Sequence, residues 1–372
     1  MIFSAAHLYE EIISQKFPKN FNSISKIEKG LKFRIIGKDN PRNNVIEIVF
    51  KKKQFVFKQP RVYTGLNLET FENEIQYYKN FKVFGIDYFY EENKKYIIFP
   101  KFHYIQANRL LFIENKIFNY RIINKFIIDS LKLYEDFSND SNVKSKVETF
   151  HKNNSSEIVP YYLYFLKKFN TSRLNQKIDE IFLNNECSIK RKKVRPLIVS
   201  FLKKKETIKF FEKLIKTHSF ENDQIIHGDF EIRNIMEIDN TLTLIDFELV
   251  SKGDQLWDLV CFLESLFLKK FTLQIDGIYE TRFQITTLLL NSKFKNLSQK
   301  NTDKFINYLI INKIRFLLDD NTFYSNSFTR NLEMIQSIEI LMSNVKRFGQ
   351  KLINGAFDFE TKNFLFSAGC GK

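Results

Sequence analysis

Cysteine is scarce in this chain: Cys187, Cys261 and Cys370 stand far apart, with no paired spacing between them. Structural disulfides and zinc sites are therefore poor fits, and all three read as free thiols. Only Gly371 and Lys372 follow Cys370, too few residues for a prenylation box. Long apolar runs are missing too, since no stretch approaches the roughly 20 consecutive apolar residues of a membrane helix. The opening "MIFSAAHLYEEII" carries Glu10 and Glu11 where a secretory signal needs its apolar stretch, so a cytoplasmic protein is expected. No internal repeat is visible.

What is present is ample core material. The 372 residues are 44% hydrophobic and 16% aromatic, which argues against disorder of the whole chain. That length suits two packed units, or one enzyme domain with two lobes. The formal net charge is +15, much of it in short runs at 51–53, 190–193 and 203–205. Such runs suit nucleic acid or an acidic membrane surface. They do not alternate with aromatics as a stacking platform does, and a solvated surface is the simpler reading. No specific nucleic-acid or membrane partner is expected, although a polyanion such as a nucleotide would be welcome.

Periodicity divides the chain near residue 102. After a short opening helix, "VIEIVF" (45–50) and "QFVFK" (54–58) read as a hairpin around a lysine-rich turn. "NLETFENEIQYYKNF" (67–81) has apolar residues at Phe71, Ile75, Tyr78 and Phe81, a helical spacing. "KKYIIFP" (94–100) reads as a strand. Segments around 105–137, 157–184, 194–217 and 302–347 read as helices, with the polar stretch 137–146 as a loop. The expectation is an α+β fold, with residues 1–102 β-rich and 103–372 mainly helical.

One later stretch breaks this pattern. "IIHGDFEIRN" (225–234) crowds polar groups directly after what reads as a buried strand. "NIMEI" (234–238) and "TLTLI" (241–245) flank Asp239-Asn240, a plausible hairpin turn. Such a hairpin folds Asn234 and Asp246 back beside each other, with Asp229 in the loop before them. The resulting oxygen-rich pocket suits a hard cation such as Mg²⁺. Asp229 would be placed to accept a proton from an attacking hydroxyl.

His227-Gly228-Asp229, Asn234, "LIDFE" (244–248) and "GDQLWDL" (253–259) together resemble the aminoglycoside phosphotransferase and choline kinase family. The ordered combination is far more specific than any one tripeptide. The resemblance implies a bilobal protein-kinase-like fold and a small-molecule kinase using Mg²⁺ and ATP or GTP. It implies Asp229 as the catalytic aspartate, and Asn234 and Asp246 as metal ligands. It also implies a strand lysine paired with a helix glutamate. Lys58 and Glu74 fit those places, with Glu69 and Glu72 as competitors for the second.

No glycine-rich run marks a phosphate loop, because Gly30 and Gly37 are isolated. "GKDNPRNN" (37–44) takes its place in the reading, with Arg42, Asn43 and Asn44 near the phosphates, although a plain turn fits equally well. The adenine is expected near "FPKFH" (99–103). His227 and Asp258 read as structural supports of the loop, as does Gly228, which permits a backbone angle a side chain would obstruct. Asp254 fits the same support or a turn end, and Glu248 either a second metal site or the surface. Glu231 and Arg233 fit either substrate contact or a local pair.

The expected partners are a nucleotide and a small hydroxyl-bearing acceptor. Sugars, small alcohols or a biosynthetic intermediate rank ahead of polycationic aminoglycosides in so basic a chain. A peptide or protein kinase is the less favoured reading, because Glu231 stands where such kinases usually carry lysine. A nucleotide-binding pseudokinase is disfavoured by the presence of Asp229, Asn234 and Asp246.

Overall fold

In a computed structural model of the protein, the described residues are 31–35, 43–50, 53–60, most of 71–77, 89–91, 96–100, 103–104, most of 120–147, 194–217, 224–238, 241–267, 278–318 and 328–358. The first part holds β1 (Leu31–Ile35), β2 (Asn43–Phe50), β3 (Lys53–Pro60), β4 (Phe89–Glu91) and β5 (Tyr96–Pro100). They form one antiparallel sheet in the order β1-β2-β3-β5-β4. The β2–β3 hairpin pairs Val45 with Lys58 and Ile46 with Phe57. Alternating β-branched and aromatic side chains suit such a sheet. Ile46, Glu47 and Ile48 are all buried, as are Phe55, Val56, Phe57 and Lys58, so both faces of this hairpin are covered. The helical positions 71, 74 and 75 are buried as well.

The chain leaves this sheet at Pro100, and β6 (His103–Tyr104) already pairs with β8 (Ile235–Ile238) in a second sheet, β6-β8-β9. There β9 (Thr241–Leu244) closes the expected hairpin, with Ile235 opposite Leu244 and Ile238 opposite Thr241. A third ladder joins β7 (Gln224–Ile226) to β10 (Ser251–Gly253), which periodicity did not signal. Around these small sheets lie α1 (Tyr120–Asn139), α2 (Arg195–Leu202), α3 (Lys205–Thr217), α4 (Gln255–Phe267), α5 (Ile278–Lys293), α6 (Gln299–Leu318) and α7 (Phe328–Ile353). The fold class is α+β.

The polar stretch 137–146 departs from its expected loop. α1 runs through Asn139, and residues 141–145 are helical again. Asp140 joins the two, its Oδ1 accepting the amides of Asn142 (2.7 Å) and Val143 (3.3 Å). An aspartate at a helix start satisfies amides that have no partner within the helix. Phe137, Val143 and Val147 are buried while the polar residues from Asn139 to Ser145 face out, so amphipathic burial outweighs the weak helix propensity of Ser, Asn and Asp. Residues 194–217 form two helices, parted at Lys203–Lys204, where one was expected. The opening residues and 157–184 lie outside the described residues.

α4 is the axis of the helical part, apolar nearly all round and buried from Gln255 to Leu266. A helix of that kind belongs in a core. Trp257, Phe262 and Leu263 pack with Phe305, Tyr308 and Leu309 of α6 in one cluster. Each such side chain, once fully buried, contributes about 1.5–3 kcal/mol.

Glu264 is the exception on α4. Its carboxylate, 4% exposed, receives Arg282 from α5 and, at 3.0 Å, Lys313 from α6. Burial alone would raise its pKa, but the two cations outweigh burial and hold it below the ordinary value of 4.5. A group depressed in this way stabilises the fold above that value and loses its contribution as pH falls below it. Glu264→Ala is expected to destabilise the protein by about 3–5 kcal/mol in chemical denaturation at pH 7, because two buried cations lose their anion. The difference from the parent should shrink as the comparison moves to acidic pH.

Candidate active site

The chain enters the site along β7 and leaves it as His227-Gly228-Asp229. Asp258, one turn into α4, fixes this exit. Its Oδ2 accepts the His227 amide at 2.6 Å and its Oδ1 the Gly228 amide at 2.9 Å. Burial pushes the Asp258 carboxyl up to about 7, while the Tyr134 hydroxyl and the two amides pull the other way. Gly228 adopts φ +81°, and a Cβ there would lie 2.2 Å from the Leu249 carbonyl oxygen. Both the angle and the space require glycine. Trp257 Nε1 donates to the Gly228 carbonyl at 2.8 Å, fixing the next peptide on the other side of the Gly228 Cα.

His227 is buried, and burial holds its pKa below the ordinary value. Its Nε2 lies 3.0 Å from the Ile245 carbonyl, an acceptor only, so Nε2 carries the proton of a neutral ring. The ring thus ties the loop to the end of β9 rather than reaching into the pocket. Asp254 caps α4 by accepting the Leu256 amide at 2.9 Å, and it also receives Tyr308 and Lys304.

The hairpin then brings the polar residues together. The Ile245 amide donates to the Asn234 carbonyl at 3.0 Å, so Asn234 and Asp246 stand at one end of the β8–β9 pair. Asn234 Nδ2 donates to the backbone carbonyl of Asp229 at 2.8 Å and to its Oδ2 at 3.3 Å. Asp246 has φ +66°, the one positive φ outside glycine among the described residues. Side chains rarely adopt that conformation except in functional or turn positions, where the surroundings impose it.

Lys58, from β3, reaches this end of the hairpin. Its Nζ lies 2.7 Å from Glu74 Oε2 and also pairs closely with Asp246 Oδ1. Glu74, Asp246 and Glu248 bring carboxylate oxygens within 4.8 Å of one another. Burial works to lower the Lys58 pKa, but Asp246, Glu74 and Glu248 outweigh it and hold the ammonium well above its ordinary value. Burial pushes Glu74 up to about 8, against the pull of Lys58. One ammonium among three carboxylates leaves an excess of negative charge, so Lys58 stays protonated. These donors are all oxygens, with net negative charge, and that set fits a divalent cation such as Mg²⁺.

Asp229 has a partner that no motif announced. Arg315, on α6, donates through Nη1 to Asp229 Oδ1 at 3.1 Å and through Nη2 to Glu231 Oε1 at 2.7 Å. Its guanidinium carbon lies 5.8 Å from the Trp257 ring centroid and 5.0 Å from that of Phe316, within cation–π range. Arg233 holds the other oxygen of Glu231, with Nε at 2.8 Å. Glu231 is fully buried between two guanidiniums, so it answers to a local pair. An arginine 86 positions downstream of Asp229 leaves no local spacing to read.

The structure therefore gathers Asp229, Asn234 and Asp246, with Lys58 and Glu74 joined to them and His227 and Asp258 beneath the loop. Glu72 is only half-buried where Glu74 is buried. Glu69, Arg42, Gly30 and Gly37 lie outside the described residues. Asn43 and Asn44 open β2, opposite Pro60 and Gln59, and their side chains are outside the described set. At 99–103, Phe99 and Pro100 end β5 and His103 begins β6.

A lysine–glutamate pair, an aspartate–asparagine loop and an aspartate of positive φ thus meet at one end of the β8–β9 hairpin. Residues 190–287 match the family model described as the phosphotransferase enzyme family, so the family resemblance holds over that part of the chain. No curated protein is significantly similar to it in sequence. Among solved structures, an ethanolamine kinase from Plasmodium vivax is 14% identical with TM-score 0.41, covering 96% of this chain and 90% of its own. A GDP complex of a mutant aminoglycoside 2'-phosphotransferase-IIIa is 14% identical with TM-score 0.44, covering 95% and 100%. Choline kinase from Cryptosporidium parvum Iowa II is 12% identical with TM-score 0.43, covering 91% and 90%. Likenesses this distant do not bear on substrate. No described helix is long and apolar enough to cross a membrane.

Gly228→Ala is expected to destabilise the protein by about 2 kcal/mol or more, from strain at a positive φ plus the Leu249 clash. Equilibrium denaturation checks this, and an unchanged midpoint would count against the loop geometry.

Proposed function

We propose that the protein is a Mg²⁺-dependent kinase that moves the γ-phosphoryl group of ATP or GTP to a hydroxyl of a small molecule. The observation that carries this reading is the reach of Lys58 from the first sheet to both Glu74 and Asp246. It joins a nucleotide-type lysine to the hairpin that holds the oxygen donors. In this reading residues 1–102 serve the nucleotide, in a protein-kinase-like arrangement. Residues 103–372 supply the catalytic loop, the metal ligands and the acceptor pocket.

Lys58, oriented by Glu74, would bind the donor phosphates. Arg42, Asn43 and Asn44 belong to the segment proposed to approach those phosphates. Asp246 and Asn234 would hold Mg²⁺, with Glu248 close enough to join them. When bound, Mg²⁺ would supply positive charge against that of the donor phosphates. Asp229 would accept a hydrogen bond from the acceptor hydroxyl, aim its oxygen and take its proton late in transfer. His227 and Asp258 act only through the loop, as positioning residues.

The acceptor is proposed to be a sugar, a small alcohol or a biosynthetic intermediate rather than an aminoglycoside. Glu231, the acid nearest Asp229 in sequence, is already held by Arg233 and Arg315 and buried away from a cationic acceptor.

The test is Mg²⁺-dependent release of ADP or GDP across a panel of sugars, amino alcohols and aminoglycosides. Asp229→Asn is expected to lower acceptor-dependent turnover by about 10²-fold or more while nucleotide still binds. Removal of the metal by a chelator is expected to abolish turnover. Nucleotide binding with no turnover on any acceptor would favour a pseudokinase, and no nucleotide binding would overturn the reading.

A further inference from the structure

A second cavity, of about 710 Å³, lies between α3, α6 and α7, and none of its lining residues belongs to the Lys58–Asp229 cluster. Its charged lining is Lys213 from α3, Lys300, Asp303 and Lys304 from α6, and Lys346 and Arg347 from α7, with Phe210 and Leu214 among its apolar residues. Five basic residues and one acidic residue from three helices thus border this space. That carboxylate is engaged, since Gln299 Nε2 donates to Asp303 Oδ1 at 2.6 Å. Lys213, Lys300, Lys346 and Arg347 are exposed at the rim, while Lys304 is partly buried.

The helices are shaped around this space. α6 and α7 touch closely at Gly349, where an added Cβ would lie 2.6 Å from Gln299 Nε2 and 2.7 Å from Thr302 Oγ1. Five residues earlier, Asn344 leaves helical geometry at φ −130° and ψ 23°, and its side chain returns to the Ile340 carbonyl at 2.9 Å. The kink and the close approach thus both lie on the α7 side of the cavity. A concave surface bordered by more basic than acidic residues carries a positive potential that draws anions.

We propose that this cavity is a binding site for a compact polyanion made of adjacent phosphoryl groups. Its volume is within the range of small-ligand pockets and its cations border a concave space. A nucleic acid would instead want an extended track with stacking aromatics. The deepest cation, Lys304, pairs with Asp254, which caps α4 directly before Trp257 and Asp258. A phosphate in the cavity therefore competes with Asp254 for Lys304, next to the helix start that holds the catalytic loop.

The proposal is independent of the kinase reading, and its test is a binding measurement on the full chain. Inorganic tripolyphosphate and ADP are each titrated calorimetrically, without metal, into the parent, Lys58→Ala, and the double variant K300A/K346A. Both changes in the double variant are at the exposed rim, and circular dichroism confirms its fold. Expected is binding of tripolyphosphate that survives Lys58→Ala and weakens about tenfold or more in the double variant, the loss of two charge-assisted contacts. Equal affinity for ADP in the Lys58→Ala background assigns recognition to the phosphates alone. Tighter ADP binding there, also lost in the double variant, adds a nucleoside to the same site. No tripolyphosphate binding, or binding lost in Lys58→Ala and kept in the double variant, overturns the proposal. Tighter binding of a single-stranded 20-mer oligonucleotide, lost in the double variant, overturns it in favour of nucleic acid.

Discussion

Everything in the site hangs on one carboxylate receiving two consecutive backbone amides. Asp258 holds His227 and Gly228 at the start of α4, and the peptide between them takes a conformation only glycine tolerates. Buried amides without partners cost heavily, so the loop has little freedom to take another path. With that turn fixed, Asp229 faces the end of the β8–β9 hairpin, and Asn234 can bond both its carbonyl and its carboxylate. α4 itself cannot shift to accommodate a different loop, because it is buried along nearly its whole length.

A balance of charge is built on this scaffold. Lys58 faces Glu74, Asp246 and Glu248, a cluster with more negative charge than positive. Around Asp229 the balance is different, since Arg315 and Arg233 stand opposite Asp229 and Glu231. The two neighbouring clusters thus offer different fields to whatever enters between them. In the proposed kinase reading, the first would take a cation beside phosphates and the second an acceptor without a strong positive charge. Buried ion pairs of this kind are weak evidence of stability, and their value here lies in fixing orientation.

Much of the site was legible because its residues fall on local signals. The Asp239-Asn240 turn between two short apolar runs predicted the hairpin, and the hairpin predicted the meeting of Asn234 with Asp246. Lys58 and its glutamate partner came from the family resemblance, and the inward helix face singled out Glu74 from Glu69 and Glu72. Arg315 was not legible, because it arrives from a distant helix whose pattern announces only a buried face. The strand at 251–253 was hidden too, since "SKG" has no strand propensity and pairs only because β7 lies beside it. At 137–146 the composition pointed to a loop, while burial of Phe137, Val143 and Val147 decided for helix. Tertiary packing overrode local preference there.

Trp257 is the chain's one tryptophan, fully buried, with its Nε1 bonded to the Gly228 carbonyl and the Arg315 guanidinium near its ring. The protein thus carries a single indole fluorophore beside the loop that Asp258 fixes. Its emission senses the loop's hydrogen bond on one edge and the charge on Arg315 from its face. Any event that disturbs that loop can therefore be followed by light, in the unlabelled chain, with no second indole to confuse the signal.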